Sequence, residues 1–505
     1  MNSARRNGAC KCERVKGYKG ALSLTLSLFH SLALTPLHLL PAAICILAFA
    51  TAQAQVPAVL TREVFVQLVL KNHPMARQAA LRTGMGEATV RSARGGFDPM
   101  ATAGYSEKRF DDTDYYSLLD AGLKVPTWFG VELLGGFQQN EGAFLDPQGY
   151  TPSDGLINAG VEVPIGQGLF IDQRRATLRK AQAYQRAAEG ERQQLLNQLL
   201  LSALSDHTDW VAAFEQLRIS DTAVVLAQNR FDQVRGSFRG GDRPGIDTLE
   251  AFLQVQDREM RQQQAQLSFR NAGLRVSNHL WDEAQRPLEL QPGMVPAITD
   301  LASPAVLVLA DTTIARAIED HPLLRQSQAR IEQFEVDRRL RSEFLKPELD
   351  LKYQWLGNGG ALTNETGTSL LGDGHQVGVG FKMPLLLRTE RGELTLAKLR
   401  RTDAELGFER DRTVIRNRIR ERLNDIATFR QQTDLGTSMV TNYGRLLNGE
   451  SQRFAAGESS LFLVNGREVP LIESQLKQVE LEAKLRKAYF TLDNEAGTLW
   501  QAWQR

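Results

Sequence analysis

The side chains able to do chemistry are few, and their spacing does not suit it. Histidine is the usual metal ligand and the proton carrier near neutral pH. Yet His73, His207, His279, His321 and His375 show neither the H-x-x-x-H nor the H-E-x-x-H spacing that sets two imidazoles on one helical face. His73 and His321 each precede a proline, which makes them helix-start residues. All three cysteines, Cys10, Cys12 and Cys45, fall within the first 54 residues, so the rest of the chain offers no thiolate nucleophile, thiolate metal site or disulfide. Gly378-Val379-Gly380 lacks the remainder of a dinucleotide fingerprint. No nucleophile–base pair and no paired-acid motif stands out. The expectation is a protein that is not an enzyme, with no cofactor, no metal and no catalytic residue. Asp242, Asp247 and Glu458 sit in two glycine-bearing breaks, where carboxylates could line an entrance favouring cations; solvated helix caps are the preferred reading.

Charge excludes another class. The chain carries +1 overall, but +5 of this lies in the first 54 residues, leaving −4 on the rest. Arg416 to Arg422 is rich in arginine, yet acids surround it, so it reads as a solvated or salt-bridged helix face and not as a nucleic-acid site. The opening reads as a secretory signal: basic to Lys19, apolar from Ala21 to Ala50, and closed by Ala52-Gln53-Ala54. Both parts are longer than usual, which leaves a downstream start codon or an uncleaved anchor as alternatives. Cleavage after Ala54 is favoured because Pro36 and Pro41 interrupt the apolar run. Beyond it no apolar run reaches the ~18 residues that a spanning helix needs. If the mature chain enters a membrane, it does so as strands closed into a barrel.

The chain is duplicated. His73-Pro74-Met75-Ala76-Arg77-Gln78 returns as His321-Pro322-Leu323-Leu324-Arg325-Gln326, and the offset of 248 holds without a gap through Pro99/Pro347 and Tyr105/Tyr353. Each half then runs through an alternating, Gly- and aromatic-rich stretch to Pro164 or Pro384, a very long polar helix, a glycine-bearing break and a second long helix. Met100–Phe110, Ser117–Val125, Phe129–Gln138 and Leu156–Ile165 predict four strands in the first unit. Glu348–Leu356 and Gln376–Met383 predict two in the second. Helices are expected over about 170–234 and 389–453, with 3–4 spaced seams at Ile415, Ile419, Leu423, Ile426 and at Ile472, Leu476, Val479, Ala483. Pro470 should kink the last helix or mark its start.

Six strands are too few for the smallest transmembrane barrel of ~8, and thin polar helices cannot bury themselves alone. Symmetric self-association answers both deficits, with strands from several copies closing one barrel and the helices forming a tube below it.

The His-Pro starts, the Ala93-Arg94-Gly95-Gly96-Phe97-Asp98-Pro99 entry, the Val163-Pro164 exit and the breaks Gly241-Asp242-Arg243-Pro244-Gly245-Ile246-Asp247-Thr248-Leu249 and Gly457-Glu458-Ser459-Ser460-Leu461-Phe462-Leu463 together resemble the TolC-type outer-membrane efflux proteins. The likeness runs over residues 61–500 and rests on the duplicated order. It implies a mixed α/β membrane protein: a homotrimeric outer-membrane β-barrel continued by a periplasmic α-helical coiled-coil tunnel. It implies docking on a periplasmic adaptor and an inner-membrane pump or secretion ATPase, and passive conduction of drugs, metabolites, ions or polypeptides. The family's two strands per half make twelve per trimer; the first unit here has 65 residues between Pro99 and Pro164 against 37 between Pro347 and Pro384. The extra hairpin therefore either enlarges the barrel or folds outside it.

The expected organisation is a signal peptide (1–54), an N-terminal helical segment (55–98), outer-membrane strands (99–165), a long helical hairpin (166–285), a linker (286–311), a second N-terminal helix (312–346), strands (347–384) and a second helical hairpin (385–500). The resemblance puts the breaks at the closed tips where an adaptor docks, with Gly240, Gly241, Asp242, Asp247, Leu249, Gly457, Glu458, Ser459 and Phe462 as the docking residues. Gly240, Gly241 and Gly457 are expected to take the left-handed geometry that ends a helix, and Asp247 and Ser459-Ser460 to cap the next one. Tyr105, Tyr116, Trp128, Phe129, Tyr353, Trp355 and Phe381 are expected to form an aromatic girdle against outer-membrane lipid. The competing reading is a periplasmic adaptor without a pore, against which the two tandem units argue.

Overall fold

The computed structural model describes residues 59–301, 310–359 and 374–503. The leader, part of the linker and the loop joining the last two strands lie outside these. A short strand β1 (Val59–Leu60) leads into α1 (Arg62–Asn72) and α2 (Pro74–Arg94). Four strands follow, β2 (Met100–Phe110), β3 (Thr113–Pro126), β4 (Glu132–Glu141) and β5 (Leu156–Pro164), and then α3 (Gln173–Arg239) and α4 (Gly245–Ser277). The second unit has β6 (Val295–Pro296), α5 (Ala310–Asp320), α6 (Pro322–Glu343), β7 (Glu348–Asn358), β8 (Gly374–Lys382), α7 (Arg388–Ala455) and α8 (Leu461–Glu495).

Matching residues start matching helices. The imidazole Nδ1 of His73 accepts from Met75 N at 3.1 Å, and that of His321 accepts from Leu323 N at 3.1 Å. The proline after each supplies the pre-set φ of a first helical residue. Asp172 caps α3, its carboxylate accepting from Arg175 N at 2.8 Å. The 67 residues of α3 and 68 of α7 would each stretch about 100 Å at 1.5 Å per residue. Pro470 does not mark the start of α8, which begins at Leu461 and continues through it. Four residues earlier, where a proline ring meets the preceding turn, stands Gly466.

The helices lie side by side. Near the strands the order is α2, α3, α6, α7; toward the far end it is α4, α3, α8, α7. Ile415, Ile419 and Ile426 of α7 pack on Leu485, Tyr489 and Leu492 of α8, while Val479 and Ala483 of α8 meet Val211 and Ala212 of α3. The helix seams are thus filled within one chain. Gly190 lets α3 pass the start of α6, since a Cβ there would stand 2.8 Å from the Pro322 carbonyl oxygen. The largest core surrounds the short parallel β1–β6 pair, with Phe65, Leu200, Leu204 and Trp210 fully buried.

The other six strands form one antiparallel sheet in sequential order, β2-β3-β4-β5-β7-β8. Four come from the first unit and two from the second, and β2 and β8 are the free edges.

Candidate functional site

Two regions could act: the sheet and the pair of helical tips. Register and pleat divide the sheet into two chemically distinct faces. One row runs through Val125, Leu133, Val161, Tyr353 and Val377, each paired with the next. The row beside it on the opposite face runs through Met100, Lys124, Leu134, Gly160, Gln354 and Gln376. Glu132, Glu162 and Lys352 share that second face, and Lys124 and Arg174 both ion-pair with Glu132 there. An apolar face backed by a charged one is the pattern of a wall with lipid outside and water inside.

Five of the seven expected girdle aromatics are on strands. Tyr105, Tyr353, Trp355 and Phe381 belong to the apolar face, with the Tyr353 and Trp355 rings 4.6 Å apart and edge-to-face. Tyr116 alternates onto the polar face with Leu118, Asp120 and Lys124. Trp128 and Phe129 are not on a strand. They stand exposed in the β3–β4 turn at the helix-proximal end, with Gly130 at φ +99°. Exposed Phe110, Phe144 and Tyr150 lie toward the other end.

The tips are two copies of one device. Gly241 N donates to Phe238 O at 3.0 Å and Asp242 N to Ser237 O at 2.9 Å; Gly457 N donates to Phe454 O at 3.1 Å and Glu458 N to Arg453 O at 2.9 Å. This paired pattern ends a helix through one left-handed residue. Gly241 (φ +83°) and Gly457 (φ +78°) are those residues. Gly240 is not, since it is right-handed at φ −74°, as is its counterpart Ala456. Nor does Asp247 cap α4: Pro244 holds that position, and Asp247 lies one turn in, 3.5 Å from Arg243. Ser460 does cap α8, accepting from Leu463 N at 3.4 Å. Ser459 instead donates to Glu450 Oε1 at 2.5 Å.

The tips are packed together. Leu461 of α8 is buried against Val234 of α3 and Ala251 of α4, and Arg243 lies 4.5 Å over the Phe454 ring. Arg230 of α3 donates to Asn465 of α8 at 3.0 Å and ion-pairs with Glu468. On the outside, Phe462 is 71% and Leu249 53% exposed, beside exposed Ile246 and Phe252. Asp242 and Glu458 point into solvent.

Helix α4 also carries an exposed apolar stripe. Ile246, Leu249, Leu253, Met260, Leu267 and Leu274, at spacings of three, four and then sevens, are all exposed. Leu435, Met439 and Leu446 make a similar exposed stripe on α7, the opposite edge of the helical layer. Heptad spacing was the signal available in the sequence.

No helix among the described residues is long and apolar enough to cross a membrane, and none of them form a group of three or more His, Cys, Asp or Glu suited to a metal ion. Residues 313–498 match the family model described as Outer membrane efflux protein, a family of transport channels and not of enzymes. No curated protein matches the chain. Among solved structures, the chain is similar to the Campylobacter jejuni CmeC outer membrane channel at 15% identity, covering 86% of this chain and 85% of that one with a TM-score of 0.58. A membrane protein from Pseudomonas aeruginosa aligns at 15% identity over 87% of this chain and 91% of that one, TM-score 0.61. The Neisseria gonorrhoeae MtrE outer membrane channel in its open state aligns at 12% identity over 86% and 89%, TM-score 0.60.

Proposed function

We propose that this chain is a TolC-type outer-membrane efflux protein and the outer duct of a tripartite export system, three copies of it closing one strand barrel in the outer membrane above one periplasmic helical tunnel. The observation that carries the reading is that the chain is unfinished at both of its sides and at both levels. In the sheet, every residue of β2 and all but one of β8 are exposed, and two free edges are unstable in lipid. In the helical layer, the α4 stripe on one side faces outward like the α7 stripe on the other, two half-seams that a neighbouring copy would complete.

Conduction needs no chemistry from the duct. The tips close the tunnel through polar inter-helix contacts, and adaptor docking on Leu249, Phe462 and the flanking turn residues shifts them open. An inner-membrane pump or secretion ATPase supplies the energy. The adaptor reading is not favoured, because a six-stranded sheet with one apolar face has no role in a protein that only bridges.

Heat-modifiable, SDS-resistant trimers in outer-membrane fractions are the expected behaviour; a monomer in the soluble fraction would overturn the reading. Cysteine pairs linking neighbouring tips should stop export when oxidised, and unimpaired export would remove the gating mechanism.

A further inference from the structure

The sheet carries a hairpin more in its first unit than in its second, and its position settles what that hairpin does. We infer that β3 and β4 are part of the membrane wall, so that each copy contributes six strands and three copies close an eighteen-stranded barrel. This rests on the three-copy duct proposed above.

Three observations carry it. First, the extra strands are interior to the sheet. β3 pairs with β2 along its whole length and β4 pairs with β5, so the hairpin cannot leave the wall without stranding β2. Second, the faces are continuous. Val125 and Leu133 of the extra hairpin lie in the same apolar row as Val161, Tyr353 and Val377, while Lys124 and Glu132 share the polar face with Lys352 and Gln354. A hairpin folded in water outside the barrel would have no reason to keep that division.

Third, the stagger fits closure. The row that starts at Met100, the first residue of β2, reaches β8 at Gln376, six residues before that strand ends at Lys382. Six residues over five strand spacings correspond to a tilt of about 40°, taking ~3.4 Å per residue and ~4.8 Å per strand. Transmembrane barrels tilt by about 35–45°. The edges are also compatible, since β8 runs toward the helices and β2 away from them, so a β8–β2 seam between copies continues the antiparallel alternation.

Barrel diameter grows roughly linearly with strand number, so eighteen strands give a wall about one and a half times as wide as four strands per copy would. Barrels of 16–18 strands enclose an open aqueous channel. The inward face mixes Lys124 and Lys352 with Glu132, Glu162 and Asp350, so this section selects by size and not by charge sign.

The test uses the full-length chain in outer-membrane vesicles, with the leader cysteines replaced and single cysteines introduced. Asp120→Cys and Gln138→Cys should react with a membrane-impermeant maleimide, while Ala121→Cys and Phe137→Cys should react only after detergent. Equal labelling of the two faces in a trimeric protein would overturn the eighteen-stranded wall and leave the duct intact; absence of trimers would sink the duct itself. As a second measurement, polyethylene-glycol maleimides of increasing size are offered from outside to Gln376→Cys. Removing residues 113–141 leaves β2 followed by β5, still alternating, and should lower the largest polymer admitted by about a third in radius. An unchanged cut-off in an assembled deletion variant would refute the inference; if the variant does not assemble, the labelling pattern decides.

Discussion

Arg230 on α3 is ion-paired with Glu468 on α8, and the Glu468 side chain is only 4% exposed. Residues 238 apart in sequence thus tie the first helical hairpin to the second just above the tips. Removing one partner of a buried pair strands the other charge, at a cost of about 3 kcal/mol or more. Arg230→Ala should therefore lower the temperature at which trimers dissociate and raise the single-channel conductance of the resting duct. Restored behaviour in Arg230→Ala/Glu468→Ala would identify the stranded carboxylate as the cause. Unchanged dissociation and conductance in the single variant would show the pair to be idle.

The two tip glycines should be irreplaceable where their neighbour is not. Gly241→Ala and Gly457→Ala force a left-handed conformation on a Cβ, worth about 1 kcal/mol each. Gly240→Ala, at a right-handed φ, should be nearly neutral. Export by the three variants in cells measures this, and equal loss in all three would contradict the assigned geometry.

Leu249→Asp and Phe462→Asp place charge on tip side chains that are mostly exposed within the chain. Export should fall at least ten-fold while trimer yield stays normal, with photo-crosslinking to the adaptor lost in parallel. Crosslinking at wild-type levels would remove these residues from the docking surface.

Met260→Glu with Leu267→Glu interrupts the middle of the α4 stripe, which is left exposed by the described residues of the same chain. Trimers should be lost or become heat-labile, with the individual chain's helix content unchanged by circular dichroism. A fully stable trimer would mean that the stripe faces water in the assembly.

Acid should weaken the protein through its buried imidazoles. His207 is 1% exposed, stacked 5.1 Å from Phe65, and burial together with the Arg62 charge lowers its pKa from 6.5 to about 4. Burial also lowers His73 and His321 to about 4. The folded state resists protonating them, so their contribution is complete above pH 6.5 and is lost as the pH falls toward 4. Burial raises Asp493 to about 6, and raises Asp300 as well, which works in the opposite sense: protonation relieves a buried charge. With His207 alone worth roughly 2 kcal/mol at pH 5, the net expectation is a lower dissociation temperature at pH 5 than at pH 7, and a flatter profile in His207→Phe. A rise in stability on acidification would reverse that balance.

Much of this fold was legible because the signals are local and repeated. Met100–Phe110 alternates as a strand and is one, residue for residue. His73-Pro74 and His321-Pro322 announce helix starts by chemistry that acts within two residues. Local signals also misled. Phe129 looks like the start of β4 because large aromatics favour strands, but Gly130 turns the chain there and β4 begins at Glu132. Asp247 has the right chemistry for a cap, yet the Gly241 turn and Pro244 place the helix start three residues earlier. The Arg230–Glu468–Asn465 cluster left no trace in the sequence, because no periodicity links α3 to α8.

The unequal hairpins also alter the symmetry of the assembly. Below the sheet the two halves of each chain supply nearly identical pieces, 67 and 33 residues against 68 and 35, so the three copies proposed above would arrange six equivalent helical pairs around their axis. Above, the same halves supply arcs of four strands and two. In that proposed trimer the sixfold pseudo-symmetry of the helices would reduce to threefold in the strands, and the polypeptide between the levels would absorb the mismatch. Residues 165–172 and 383–387 occupy that junction, where the change from one symmetry to the other would be made.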